Sequence, residues 1–324
     1  MFNIKQSENS QKTSKISIII PCYNQTWLLE RNLQYLEKQS FKNFDITIID
    51  DQSTENYQET ISKFPNLKII YIRNDKNLGA MENIFNSIFY KNDSLYKIAL
   101  HEDDVLHPQY LEKAINILDT NEKVVFVATL AKWFRNDEEF KKKFVESKDI
   151  SDNISIINKT DFIRKILDGK HIMWDSVVYR NNILNKNYDL KKYDVLCDRP
   201  FLASLIGNNF VAIIEDKSVF VRDHGENDNR GKNTTEEHCF NMMNFYKDSL
   251  PKPISKNDYK KFIIFSTNNL LNTYRGIRNK KMGFCKFIKT GKNLGLIDLK
   301  YINKIGIFGM LKVIFGEKIT RLIK

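Results

Sequence analysis

Lys15–Asn24 reads KISIIIPCYN. A run of β-branched residues ends on a proline and three small or polar residues, and Leu29, Leu33 and Leu36 follow at helical spacing. Apolar residues at consecutive positions require a strand covered on both faces. The same sentence is repeated along the chain, in Phe44–Asp50 (FDITIID), Leu67–Ile72 (LKIIYI), Tyr96–Leu100 (YKIAL) and Lys123–Thr129 (KVVFVAT). Between the runs lie helix-spaced apolar sets: Met81, Ile84, Phe85 and Ile88, then Leu111, Ala114, Ile115 and Leu118. Pro108 stands where a first helical turn tolerates it. Alternating strands and helices predict an α/β protein with a Rossmann-like, mostly parallel sheet flanked by helices. Ligands of such sheets bind beyond the carboxyl ends of the strands.

Past residue 130 the pattern loosens. Charged Asn136–Lys143 reads as an exposed loop, and Thr160–Asp168 as a short capped helix. His171–Tyr179 and Asn209–Val221 read as strands, with Asp198–Ile206 a helix between them. Beyond 240 the pattern is helical, with a joint at Pro251 and Pro253, and gives a helical C-terminal extension. The expected divisions are a flexible 1–14, a domain over 15–240 with halves 15–130 and 131–240, and a basic helical region over 241–324.

The chain has 324 residues, 42% hydrophobic and 28% charged, enough to bury a substantial core. Cys22, Cys197, Cys239 and Cys285 are far apart and form no metal-binding spacing. With no apolar run near the start, they point to a reducing cytoplasm. The net charge of +11 is concentrated: Arg275–Lys324 holds thirteen lysines and arginines against Asp298 and Glu317, which leaves the preceding residues neutral. A neutral body with a basic tail expects an anionic partner at the tail.

The chemistry lies at the strand ends. Cys22-Tyr23-Asn24 closes the first strand, Asp50-Asp51 the second, and His101-Glu102-Asp103-Asp104 follows the fourth. One acidic end is explained as a helix cap. Two at one sheet edge are not, because clustered carboxylates oppose each other's ionisation unless a cation sits among them. A divalent metal relieves that repulsion and holds a diphosphate.

SIIIPCYN, IIDDQSTEN, NLGAMENIFNSI and LHEDDVLHPQYLEKA, in this order over about residues 15–120, resemble the family 2 glycosyltransferases, inverting enzymes of the GT-A fold. CDRPFLASLI around Asp198 is a weaker fifth match. The resemblance implies a metal-dependent transferase that moves a sugar from a nucleotide-sugar, a UDP-sugar above all, to an acceptor hydroxyl in bacterial surface polysaccharide or other glycan synthesis. The first half of the domain would hold the nucleotide and the second the acceptor, a glycan or lipid-linked glycan. Pro21, Tyr23 and Asn24 would line the nucleotide pocket, Asp51 would bind the base, Asp50 would support that loop, and Asn77 and Asp103 would complete the nucleotide contacts. Asp103 and Asp104 would hold Mn²⁺ or Mg²⁺, with His224 completing the shell. His101 replaces the first acid of the family's pattern; imidazole suits Mn²⁺ better than Mg²⁺. Asp198 would be the general base, with Cys197 where the family often has glutamate. Asp194 is the fallback, and a helix N-cap is the structural alternative for Asp198. His171 and Trp174 fall where the family contacts the acceptor, although a tryptophan there also reads as core. Val221–Gly231 resembles a late loop that closes on the diphosphate, with Arg222 and Arg230 as phosphate contacts; a plain surface loop reads equally well.

From Leu294 onward, Ile297, Tyr301, Ile305, Phe308, Leu311, Phe315, Ile319 and Leu322 recur at threes and fours among lysines and arginines, interrupted by Gly306, Gly309 and Gly316. This is a basic amphipathic pattern. It predicts peripheral attachment to the anionic inner face of the cell membrane, with an intra- or intermolecular docking helix as the rival. A nucleic-acid-binding protein would leave the acidic strand ends unexplained, so no nucleic acid partner is expected. A catalytically degenerate sugar-nucleotide-binding scaffold stays open through His101 and Cys197. A nucleotidyltransferase is disfavoured by the lack of a GxxxxGK loop.

Overall fold

The computed structural model describes residues 13–170, 172, 174–184, 188–189, 192–223, 234–277, 280–303 and 307. Among these, nine strands form one sheet in the order β3-β2-β1-β4-β8-β6-β9-β5, with β7 pairing to β9. The strands are β1 (Ile16–Cys22), β2 (Phe44–Asp50), β3 (Ile69–Arg73), β4 (Tyr96–Ala99), β5 (Val105–Leu106), β6 (Val124–Phe134), β7 (Ile154–Ile157), β8 (Val178–Arg180) and β9 (Phe210–Arg222). The helices are α1 (Thr26–Leu36), α2 (Tyr57–Ser62), α3 (Ala80–Ile88), α4 (Tyr110–Thr120), α5 (Asp137–Val145), α6 (Lys159–Leu167), α7 (Asp198–Ile206), α8 (Glu236–Asp248), α9 (Lys256–Gly276) and α10 (Phe284–Asn293).

The first half of the sheet is parallel throughout, β1 lying between β2 and β4 and β2 pairing onward to β3. All seven residues of β1 and of β2 are buried, as their unbroken apolar runs require. Register aligns Cys22 with Asp50 and Asp50 with Arg73, and Leu100 donates its amide to Ile19. The carboxyl ends of four strands therefore share one edge. The second half is mixed. β8 runs antiparallel to both β4 and β6, and β9 is parallel to β6, so β6 and β9 also end on that edge.

One apolar cluster covers the face with α1, α2 and α4, built on Ile18, Ile46, Ile48 and Leu111. The other joins α3, α6 and α7 to the C-terminal helices through Phe126, Phe162, Phe201, Met243, Phe262 and Leu296. Phe287 of α10 stacks on Phe240 of α8 at 4.9 Å and meets Tyr274 of α9 at 4.6 Å. The joint at Pro251 and Pro253 falls between α8 and α9.

Two expectations are corrected. Asn136–Lys143 is not a loop, because Asn136 caps α5 by accepting from the Glu139 amide. Acids fill the first turn, Lys142 and Lys143 the last, and Phe140 is buried. A helix that buries one side of one turn carries too few apolar residues to show a period, but its ends are marked by charge. His171–Tyr179 is not one strand: Ile172 makes a single antiparallel bridge to Leu130, Trp174–Ser176 form a 3-10 turn, and the strand β8 begins only at Val178. The basic tail beyond Ile307, and most of residues 1–14, lie outside the described residues. Among the described residues no helix is long and apolar enough to cross a membrane.

Candidate active site

The shared strand edge is closed by its own polar residues. Asp50, fully buried, accepts from the Ser53 amide at 2.9 Å, the Tyr71 hydroxyl at 2.6 Å and Arg73 at 2.7 Å. It supports the loop from below and faces β3, away from the cleft. Asp51 takes the Leu78 amide at 2.9 Å, the Gly79 amide at 2.8 Å and the Asn74 amide group at 2.8 Å. Asn77 donates to the Asp51 carbonyl at 3.0 Å. Together they draw the 74–79 segment over the strand ends and start α3 at Gly79, whose φ of 85° suits glycine. Asn24, itself at φ 53°, accepts from the Thr54 amide at 2.7 Å and ties the end of β1 to the loop after β2.

These loops wall a cleft of about 280 Å³ lined by Pro21, Tyr23, Asp51, Asn77, Glu102 and Asp103, among others. Asn24, Asp50 and Asp104 do not line it: Asp50 and Asp104 are buried, and Asn24 is partly exposed. A larger groove, about 780 Å³, runs between residues 89–97 and 180–184 at the other end of β4. It is remote from the strand ends and from their acids.

The His101–Asp104 turn is suspended from α1. Arg31 donates to the Asp103 carbonyl at 2.7 Å, and Asn32 reaches the carbonyls of His101 at 3.0 Å and Asp104 at 2.8 Å. Glu102 points the other way, accepting from the Tyr23 amide at 3.0 Å and the Tyr57 hydroxyl at 2.7 Å. Burial pushes its carboxyl up to about 7 against the opposing effect of those donors. Ligand atoms of His101, Asp103 and Asp104 lie within 4.8 Å of one another. Asp104 is held well above the carboxylate range by burial, then by Asp175 and Asp103. It also accepts from the Arg222 amide at the end of β9 at 3.1 Å.

Buried polar atoms at this cluster have no protein partner: Nε2 of His101 and Oδ1 of Asp175. Carboxylates crowded out of water, an imidazole beside them and orphaned acceptors form a donor set that fits a divalent cation. Asp103, Asp104 and His101 are the residues that would hold it.

Asp198 is the first residue of α7, half-buried, and Cys197 precedes it with no side-chain cap. A relay of rings runs from this helix to the cluster: Phe201 to Phe85 at 5.9 Å, Phe85 to Trp174 at 5.4 Å, Trp174 to His101 at 6.4 Å. Asp198 and Asp175 both act on the buried Tyr179 phenol, whose pKa is raised first by burial. Asp194 is engaged elsewhere, accepting from the Thr234 hydroxyl. Trp174 is only 9% exposed and packs in the core. His171, His224 and Arg230 lie outside the described residues.

Sequence reasoning missed the partners of the acid run. Arg31, Asn32 and Tyr57 are spread through apolar helices, Glu102 was hidden among stronger acids, and Asp175 sat in a run read as strand. Only the DD and HEDD clusters gave a local signal. Trp27 was also missed: it is half exposed at the start of α1, with the Arg222 guanidinium 4.9 Å from its ring.

A sheet whose parallel half gathers a nucleotide-sized cleft and an acid cluster at one edge defines a GT-A-type transferase fold. The chain belongs to glycosyl transferase family 2, whose family model matches residues 17–186. Poly(ribitol-phosphate) beta-N-acetylglucosaminyltransferase TarP of Staphylococcus aureus is 24% identical over 306 residues, 90% of this chain and 89% of that protein. Shorter matches to curated glycosyltransferases span 39% and 19% of those proteins. Among solved structures, S. aureus TarS 1–349 in complex with UDP superposes with a TM-score of 0.60 at 15% identity, covering 96% of this chain and 92% of that one. A mannosyltransferase from Pyrobaculum calidifontis in complex with GDP-Man and Mn²⁺ gives 0.55 at 12% identity, covering 94% and 88%.

Proposed function

We propose that the protein transfers a sugar from a UDP-sugar to a hydroxyl of a glycan or lipid-linked glycan, with inversion, in the synthesis of a surface polysaccharide. The observation that carries this reading is the meeting of the Asp51–Asn77 cleft wall with His101, Asp103 and Asp104 at one strand edge. The UDP in the TarS complex and the GDP-Man and Mn²⁺ in the mannosyltransferase complex support a nucleotide-sugar donor and a metal-assisted site.

In this reading Pro21, Tyr23 and Asn77 flank the base and ribose, and Asp51 both shapes the loop and meets the base. A divalent cation bound at Asp103 and Asp104 would supply charge neutralisation for the leaving diphosphate. Asp198 takes the proton from the acceptor hydroxyl as that oxygen attacks the anomeric carbon, and the carbon–oxygen bond to the diphosphate breaks on the opposite face. Asp198 is half-buried, which leaves its carboxylate open to solvent. Arg222, fixed by its amide to Asp104, brings a positive charge to the same rim.

The basic residues beyond 303 attach the protein to the anionic inner face of the membrane, each contributing about 1 kcal/mol near such a surface. Lys312→Glu with Lys318→Glu should release the full-length protein from anionic vesicles; equal partitioning of variant and wild type would refute attachment through this segment.

The transfer itself is tested by supplying α-linked UDP-sugars with Mn²⁺ and a hydroxyl acceptor and reading the product's anomeric configuration by NMR. A β product formed by wild type and not by Asp103→Asn supports the reading. An α product rejects inversion, and turnover undiminished in Asp103→Asn rejects the site.

A further inference from the structure

Asp175 is a carboxylate with no evident reason to be where it is. Its side chain is 2% exposed, in the turn between α6 and β8. The turn is held by its backbone: the Tyr110 hydroxyl donates to the Ser176 carbonyl and the Tyr179 hydroxyl to the Trp174 carbonyl. Oδ2 lies 3.8 Å from Nδ1 of His101, and the carboxyl also faces Asp104. Oδ1 has no partner, and among the described residues no lysine or arginine forms an ion pair with it. A buried carboxylate is costly unless it is paired or serves an ion.

His101 shows the complementary pattern. One ring nitrogen faces Asp175, the other is buried without a partner, and the Trp174 ring stands perpendicular to the imidazole with centroids 6.4 Å apart. Histidines that bind metals commonly present their second nitrogen to a carboxylate, which sets the tautomer and holds the ring in place.

We propose that Asp175 is a positioning residue that orients His101, so that an imidazole nitrogen joins Asp103 and Asp104 as a ligand of the divalent cation. The inference rests on the donor site proposed above. It makes the site a mixed nitrogen–oxygen one, which favours Mn²⁺ over the all-oxygen preference of Mg²⁺. An ordinary run of acids would show no such selectivity.

The test is Mn²⁺ and Mg²⁺ binding to the full-length protein, with and without UDP, together with pulsed EPR of bound Mn²⁺ to detect ¹⁴N coupling. Wild type should show nitrogen coupling. His101→Asp should keep Mn²⁺ but lose both the coupling and the preference over Mg²⁺. Asp175→Asn should weaken Mn²⁺ binding about 10- to 100-fold, and this loss should vanish when it is made in the His101→Asp background, since Asp175 then has no imidazole to orient. A purely structural Asp175 would cost as much in both backgrounds, which overturns the positioning role. Nitrogen coupling absent in wild type, or unchanged in His101→Asp, overturns the ligand assignment while Asp103→Asn still abolishes binding. Mn²⁺ bound equally by wild type and Asp103→Asn, or by neither, instead overturns the donor site itself.

Discussion

The Tyr57 hydroxyl donates to Oε2 of Glu102 at 2.7 Å, linking α2 to the acid turn after β4. Burial nevertheless leaves the Glu102 carboxyl at about 7, above an ordinary glutamate. Its ionisation therefore opposes the fold. The native state holds this proton between about pH 4.5 and 7 while the unfolded chain releases it, so stability falls with rising pH over that window and levels off above it. In metal-free urea titrations, Glu102→Gln should flatten part of that fall. Parallel pH profiles for wild type and variant would show that Glu102 is already ionised in the native protein.

Gly79 gives its amide to Asp51 from a φ of 85°, in a place where an added Cβ meets nothing within 4 Å. The cost of Gly79→Ala is thus conformational, about 1–3 kcal/mol, because φ 85° with ψ 157° is open to glycine almost alone. Thermal unfolding should register it, and UDP affinity should drop as the 74–79 segment shifts. Full stability and unaltered UDP binding would mean that the loop does not depend on this backbone geometry.

Asn32 carries two carbonyls of the acid turn on one side-chain amide. Asn32→Leu removes the side-chain donor from both and leaves the His101 carbonyl only the Asp104 amide at 3.3 Å, so it should destabilise the protein by about 1–3 kcal/mol. Because the turn presents Asp103, Mn²⁺ affinity should decline with it. A variant that is less stable yet binds Mn²⁺ normally would show that α1 supports the fold but not the cluster.

Asp198 and Asp194 are separated by their surroundings. Asp194 is occupied by Thr234, whereas Asp198 opens α7 without a cap role for its predecessor. Asp198→Asn should cut transfer about 10²- to 10⁴-fold and leave nucleotide binding unchanged in calorimetry. Asp194→Asn should affect stability before turnover. The reverse ranking would move the base to Asp194.

The central strands of the parallel half, β1, β2 and β4, were legible because each is buried on both faces and ends in residues that break the apolar run, as in Ile16–Cys22 and Phe44–Asp50; β3 carries an apolar run too but lies at the sheet edge, where Ile70 is exposed. The DD and HEDD runs marked the site for the same reason. What was not legible depends on distant partners. Glu102 takes its role from Tyr23 and Tyr57, and Asp175 from His101 and Asp104; neither leaves a pattern in its own neighbourhood. Helix α5 was hidden because one buried phenylalanine sets no period, and the turn at Trp174–Ser176 because apolar residues in sequence look alike in a strand and in a buried turn.

The most direct measurement is the thermal stability of wild type and Asp103→Asn with UDP, GDP, CMP and TDP, each with and without Mn²⁺. A ligand at 100 times its Kd stabilises the native state by about 2.7 kcal/mol. The account predicts that UDP raises the unfolding temperature, more so with Mn²⁺, and that the Mn²⁺-dependent part disappears in Asp103→Asn. No stabilisation of wild type by any nucleotide, or an Mn²⁺-dependent shift that survives in the variant, would contradict it.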